Sequence, residues 1–235
     1  MADFSTISVP QQRGALAIFC RAPRLGTVKT RLAKTHGEAF ALGLYRAMLA
    51  DTFALGRALA PEIETFACFT PNDGFDGEES LAQLWDGPRL AQCDGDLGAK
   101  ILDCCAQLRE KGFEKVAVIG SDSPDLPLNR LRRAFETLDE ALGLVFGPTE
   151  DGGFYLLGSS QGVPSWLFEN VAWSSSTTLR TIRCNNATRG REKLNWAQLS
   201  DWRDVDDEND LTELRRRLFE VGTLAPRTYR FLEAV

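Results

Sequence analysis

Val116-Ala-Val-Ile-Gly-Ser-Asp-Ser-Pro-Asp-Leu-Pro127 starts as a strand and ends as a loop carrying two carboxylates, Asp122 and Asp125. A short β-branched run bounded by Gly and Pro is a strand signal, and its unbroken apolar character suits a parallel strand covered on both faces. Gly120 permits close backbone approach, while Pro124 and Pro127 stiffen the chain beyond it. Ligands of open α/β sheets sit beyond the carboxyl ends of the strands, so an acidic loop there is placed to hold a cation or a sugar. The same loop also reads as a capped turn into the next helix. Of the two carboxylates, Asp122 is the better ligand candidate, because the prolines around Asp125 suit a structural cap.

The flanking sequence repeats this pattern. Ala15-Leu-Ala-Ile-Phe-Cys20 is the natural first strand, Ile63 to Phe69 a second and Arg89 to Cys93 a weaker third. Gly143 to Gly147, Phe154 to Leu157 and Lys193 to Leu199 complete the strand candidates. Between them, helices are expected over Glu38–Leu59, Ser80–Trp85, Leu97–Lys111, Leu128–Leu138, Pro164–Phe168 and Ser176–Arg183. Further helices are expected over Leu211–Val221 and around Tyr229 to Leu232. Strands alternating with helices imply an α/β fold, a single domain over 14–235 with helices on both faces of one sheet. Residues 1–13 are expected to be a disordered lead.

Composition narrows the function. The chain has 235 residues, 43% of them hydrophobic, and a net charge of -6, which disfavours nucleic acid as a partner but not a nucleotide in a locally basic pocket. No apolar run is long enough to span a bilayer and no signal-peptide pattern is present, so a cytoplasmic protein is expected. His36 is the only histidine, and none of the six cysteines forms a C-x-x-C pair, which disfavours zinc, a disulfide scaffold and a Ser-His-Asp hydrolase. Cys20 and Cys68 read as buried small hydrophobes.

Four further loops carry candidate chemistry. Arg21-Ala-Pro-Arg-Leu-Gly-Thr-Val-Lys-Thr-Arg-Leu32 holds four cations and no acid. Lys29 can serve phosphate as a point charge, Arg21, Arg24 or Arg31 as forks, and the backbone N–H groups around Gly26 as a cradle. It lacks the glycines of a Walker A motif, and a solvated basic turn is the alternative. Asp94-Gly-Asp-Leu-Gly98 can bring backbone close to a substrate through Gly95 and Gly98. Asp151-Gly-Gly153 is a tight turn, equally an ordinary hairpin. Asp204-Val-Asp-Asp-Glu-Asn-Asp210 precedes a helix, where it also serves as cap and dipole complement. In a parallel sheet such loops gather along one edge, and cations beside paired carboxylates suit phosphate and Mg²⁺ or Mn²⁺ together.

From about Ala15 to about Leu214 the chain also resembles the bacterial DUF2064 group of GT-A-fold glycosyltransferase-like proteins, relatives of phospholactate and molybdopterin guanylyltransferases. The resemblance rests on Pro23-x-x-Gly26-x-Val28-Lys29-Thr30-Arg31-Leu32, Gly120 to Pro127, Gly147-Pro-x-x-Asp151-Gly-Gly153-x-Tyr155-x-x-Gly158 and Asp204-Val-Asp206. It implies a nucleotide-diphospho-sugar transferase fold, a three-layer sandwich with a mostly parallel mixed sheet and helices on both faces, with Lys29 and Arg31 on nucleotide phosphates and Arg21 where the group more often has Lys. It further implies Asp122 as principal metal or sugar ligand, Asp206 as a second metal ligand, Asp151 as an acceptor contact or base, and Gly95, Asp96 and Gly98 as a nucleotide-side loop. Ala99-Lys100-Ile101 departs from the group's more usual Arg-Met ending.

The implied activity is metal-dependent transfer from an NDP-sugar to a small-molecule acceptor. Two other readings stand beside it: a guanylyltransferase-like enzyme joining an NTP to a phosphorylated small molecule, and a nucleotide-binding protein without turnover.

Overall fold

The computed structural model describes residues 13–71, 75–140, 143–221 and 223–235. The apolar run ahead of Gly120 becomes β4 (Lys115–Gly120), the middle strand of a seven-stranded sheet. Its fellows are β1 (Gly14–Cys20), β2 (Ile63–Phe69), β3 (Arg89–Ala91), β5 (Gly143–Pro148), β6 (Phe154–Ser159) and β7 (Asn195–Gln198). They lie in the order β3-β2-β1-β4-β6-β5-β7, all parallel to their neighbours except β6, which runs antiparallel to β4 and β5. Every parallel strand therefore ends at one edge, and the hairpin between β5 and β6 turns at that edge too. The chain winds outward from β1 to β3 and then crosses back to β4. This reversal opens a crevice between the ends of β1 and β4, where open α/β sheets bind ligands.

Helices cover both faces, as the alternation along β1 requires. Leu16, Ile18 and Cys20 point into a core with Leu49 and Phe53 of α2 (Glu38–Arg57) and Leu131 and Phe135 of α5 (Leu128–Glu140). Ala15 and Ala17 point into the opposite core with Ile101, Cys104 and Leu108 of α4 (Leu97–Glu110) and Ile182 of α6 (Thr178–Ala187). A third cluster joins Leu32 of α1 (Thr30–His36) and Leu44 and Met48 of α2 to α7 (Glu208–Glu220), and includes Val205. Two further helices are α3 (Phe75–Ala82) and α8 (Pro226–Glu233). Cys20 and Cys68 are buried, as expected. Among the described residues no helix is long and apolar enough to cross a membrane.

Several expectations shift at their edges. The basic loop does not run to Leu32, because its last residues already form α1; seven residues are too few for an apolar period to show. Likewise α3 starts at Phe75 rather than Ser80, and Pro164–Phe168 is a single 3-10 turn over Ser165–Phe168. The expected lead lies outside the described residues except for Arg13, which pairs with Glu64 at 3.1 Å.

Asp51 fixes the last helix. Its carboxylate is fully buried and accepts from the N–H groups of Arg227 and Thr228 and from the Thr228 hydroxyl, at 2.8 to 3.2 Å. These are the N–H groups that the first turn of a helix leaves without an internal partner. Asp51→Ala is therefore expected to cost about 2–4 kcal/mol of stability in urea unfolding. A loss within about 0.5 kcal/mol, the scale of an ordinary surface change, would remove Asp51 as the anchor.

Candidate active site

Three segments meet over the crevice: the loop after β1, the Ser121–Asp125 loop after β4, and a strap over 199–207 that leads from β7 into α7. Hydrogen bonds fix the strap across the strand ends. Trp202 N donates to Pro148 O at 3.0 Å, and Val205 N to Asp122 O at 2.9 Å. The Ser123 hydroxyl donates to Arg203 O at 3.2 Å. Arg130 donates to the carbonyls of Ser200 and Asp201 at 2.7 and 3.0 Å, and its guanidinium lies 4.5 Å above the Trp202 ring. From below, the buried Asp125 carboxylate receives Arg217 of α7 at 2.6 and 3.3 Å, the structural role its prolines suggested.

Lys29 stands at the centre. It precedes α1 in a left-handed backbone conformation, φ 45°, ψ 45°, uncommon for a residue with a side chain. Its side chain is 5% exposed, and its ammonium lies 2.5 Å from Asp122 Oδ1, 2.6 Å from Val205 O and 3.1 Å from Asp206 Oδ1. Burial works against the charge, yet the two carboxylates outweigh it and raise the Lys29 pKa above its ordinary value. The strap's other acids divide the work. Asp207 caps α7 in a capping box with Asp210 and also receives Arg31 at 2.8 Å, so the capping role of the acidic run is real for these two. Asp204 is pushed up to about 7, by burial first and then by Asp206, Asp151 and Asp122.

A cleft of about 470 Å³ opens over Lys29, lined among others by Arg21, Arg31, Lys100, Tyr45, Thr70, Gln92, Ser121, Asp122 and Asp206. That falls within the roughly 300–1,000 Å³ typical of small-molecule sites. Tyr45 joins its two walls: its hydroxyl accepts from Arg21 N at 2.9 Å, donates to Arg21 O at 3.1 Å and lies 3.3 Å from Ser121 Oγ. Burial foremost keeps that phenol protonated. A second cavity of about 250 Å³ shares Asp122 and includes Asp204.

The structure thus brings Arg21, Lys29, Arg31, Asp122 and Asp206 together. It sets the other expected residues apart. Gly26 turns at φ 75° beside Glu38, ahead of the cleft residues Thr27 and Val28. Gly95 turns at φ 121° before Asp96, the N-cap of α4, and Gly98 lies so close under Trp173 that a Cβ would sit 2.7 Å from the ring. These two shape the start of α4, while Leu97 and Lys100 face the cleft. Asp151 Oδ1 accepts from Thr149 Oγ1 at 2.5 Å and Gly153 N at 3.0 Å, tightening the hairpin, and the residue borders a depression that shares Arg31 and Asp206 with the cleft. Sequence reasoning gave no role to Tyr45, Thr70, Gln92, Lys100, Ser121 or Asp204. Ser121 and Asp204 lay within the quoted motifs, Asp204 two positions before Asp206.

The donors suit a hard divalent cation. Two carboxylate oxygens and a carbonyl already converge on one cation, the Lys29 ammonium, and oxygen donors of this kind are those Mg²⁺ and Mn²⁺ take. Among the described residues no group of three or more His, Cys, Asp and Glu is arranged as a metal site.

A mostly parallel sheet with its charged cleft at the reversal of strand order is a nucleotide-diphospho-sugar transferase-like fold. The chain belongs to the DUF2064 family, described as uncharacterized proteins conserved in bacteria, whose model matches residues 54–175, just over half its length. It is similar over 94% of both chains, at 27% identity and a TM-score of 0.84, to a Desulfovibrio desulfuricans G20 protein provisionally assigned as a nucleotide-diphospho-sugar transferase. Likeness in fold alone extends to CMP:2-keto-3-deoxy-manno-octonic acid synthetase complexed with CTP (11% identity, TM-score 0.53, 88% and 99% coverage). It extends equally to 4-diphosphocytidyl-2C-methyl-D-erythritol synthase from Anaerococcus prevotii DSM 20548 (10%, 0.54, 88% and 99%). No curated protein matches the sequence.

Proposed function

We propose that this protein is a metal-dependent, cytoplasmic transferase that moves a sugar from a nucleotide-diphospho-sugar to a small acceptor. The observation that carries the reading is the cation position between Asp122 and Asp206, at the floor of a cleft whose rim presents Arg21, Arg31 and Lys100. The arginine forks and the Lys100 point charge bind the phosphates, and Tyr45 holds the Arg21 backbone in register with Ser121. Asp122 and Asp206 would hold Mg²⁺ or Mn²⁺, which when bound neutralises charge on the departing diphosphate. Asp122 borders both cavities and so stands nearest the reacting atoms. Asp151, engaged in its hairpin, is given no direct part.

A nucleotidyltransferase is the second reading, favoured by the crowding of Arg21, Arg24, Lys29 and Arg31 in one loop, which suits a triphosphate. Incubation with each NTP and each NDP-sugar, with Mg²⁺ or Mn²⁺ and with EDTA, separates them. Metal-dependent release of NDP from one NDP-sugar is expected. Pyrophosphate release from an NTP without sugar turnover would replace sugar transfer by nucleotidyl transfer, and metal-independent binding with no turnover would overturn both.

A further inference from the structure

The second cavity differs in chemistry from the first. Its walls are Phe19, Leu97, Ile101, Leu126, Phe154 and Tyr155, closed by the β4 residues Val118 and Ile119. Among the described residues no Lys, Arg or His lines it; its acidic groups are Asp122, which also lines the nucleotide cleft, and Asp204. The other polar side chains are already engaged, because the Ser123 hydroxyl donates to Arg203 O and the Tyr155 hydroxyl to Ser200 O. The cation on Asp122, Lys29, contacts Asp206 as well and so brings no surplus positive charge.

We infer that this cavity is the acceptor subsite, and that the acceptor is an uncharged or cationic small molecule with an apolar body, offering a hydroxyl or amine at the Asp122–Asp204 end. The inference rests on the transferase reading and sharpens it. A phosphorylated acceptor would place its dianion against Asp122 and Asp204 in a cavity whose own lining holds no cation, while a Mg²⁺ or Mn²⁺ held by Asp122 and Asp206 would be engaged by the donor's diphosphate; that arrangement costs free energy on desolvation and on repulsion alike. An apolar ring instead gains by leaving water against Phe19, Ile101 and Phe154. At about 250 Å³ the cavity equals roughly eight waters at about 30 Å³ each, so the body is a single ring or a short chain. The preference separates the two transfer chemistries, since joining an NTP to a phosphate ester requires the anionic acceptor that the cavity disfavours.

Three matched probes test this by ligand-observed NMR on the full chain: 2-phenylethanol, 2-phenylethylamine and phenyl phosphate. Excess inorganic phosphate in the buffer occupies the cationic cleft and confines the comparison to the apolar cavity. The alcohol and the amine are expected to bind at least about tenfold tighter than phenyl phosphate, a difference of about 1.4 kcal/mol. Phe154→Ala should weaken the alcohol severalfold. Leu97→Arg, at a position 41% exposed where an arginine fits without disturbing the core, should shift the preference toward phenyl phosphate. Equal or tighter binding of phenyl phosphate, or no binding of either neutral or cationic probe, overturns the inference. Alcohol binding unmoved by both substitutions overturns it as well, by placing the probe elsewhere. Failure here is distinguishable from failure of the transferase reading: nucleotide-sugar turnover with a phosphate-preferring cavity removes only the acceptor assignment, and the expected probe preference without nucleotide binding removes only the transfer.

Discussion

Asp122→Ala is expected to lower metal-dependent turnover by about 10³-fold or more, the scale on which a pre-set electrostatic group at a reacting centre acts. Its thermal unfolding should fall far less than that of a variant that strands a buried charge, because Asp206 Oδ1 and Val205 O stay on the Lys29 ammonium. The two expectations separate because the loop and the strap are joined through main-chain atoms: Val205 N donates to the carbonyl of Asp122, which survives the substitution. The side chain is 41% exposed and leaves no large void. Removing it deprives the Lys29 ammonium of its nearest oxygen and leaves Asp206 as the one carboxylate still on that cation. Steady-state rates with and without added Mn²⁺, alongside a melting curve, provide the check. Turnover within a few-fold of the parent would place the reacting centre away from Asp122.

Arg217→Ala should act in the opposite sense, on stability before chemistry. Asp125 has no exposure at all, and both its oxygens face Arg217. Taking away one partner of a buried ion pair strands the other charge, at a cost of about 3–5 kcal/mol. For a domain of this size that corresponds to a fall of roughly 6–20 °C in Tm. Arg217→Lys should restore only part of the loss, because an ammonium cannot reproduce the two-pronged contact. Replacing both partners by apolar residues of similar volume should be milder than Arg217→Ala alone. Differential scanning calorimetry of the three variants decides the matter: a single-variant loss below about 1 kcal/mol, the worth of an exposed pair, would show that the bridge does not hold the loop.

The fold was legible where local chemistry is repetitive. Runs such as Ala15–Cys20 and Val116–Ile119 announce buried strands because no polar residue interrupts them, and Gly or Pro marks where each stops. Helix α1 was illegible because it completes fewer than two turns and starts from the unusual backbone of Lys29. In the site, the charges of Lys29, Arg31, Asp122 and Asp206 could be read from their loops. Their partners could not, since each pair joins segments far apart in the chain. Lys29 reads as a phosphate ligand from its neighbours in sequence, whereas the fold places two carboxylates on it. Tyr45 lies within the apolar stripe of α2 and shows its hydroxyl role only once Arg21 and Ser121 are adjacent. Gly95 and Gly98 read as a ligand-side loop from composition, but the aromatic ring above Gly98 is supplied by Trp173, far along the chain.

The contact between Lys29 and Asp206 joins residues 177 positions apart. Closing so long a loop is entropically unfavourable, and the contact becomes worthwhile only after the intervening strands have ordered. The charge cage over the crevice is therefore among the last parts of the molecule to assemble. A chain that has formed β1, β2 and β4 but not yet laid down the strap lacks Asp206, so competence for the proposed reaction arrives together with the native state rather than in stages.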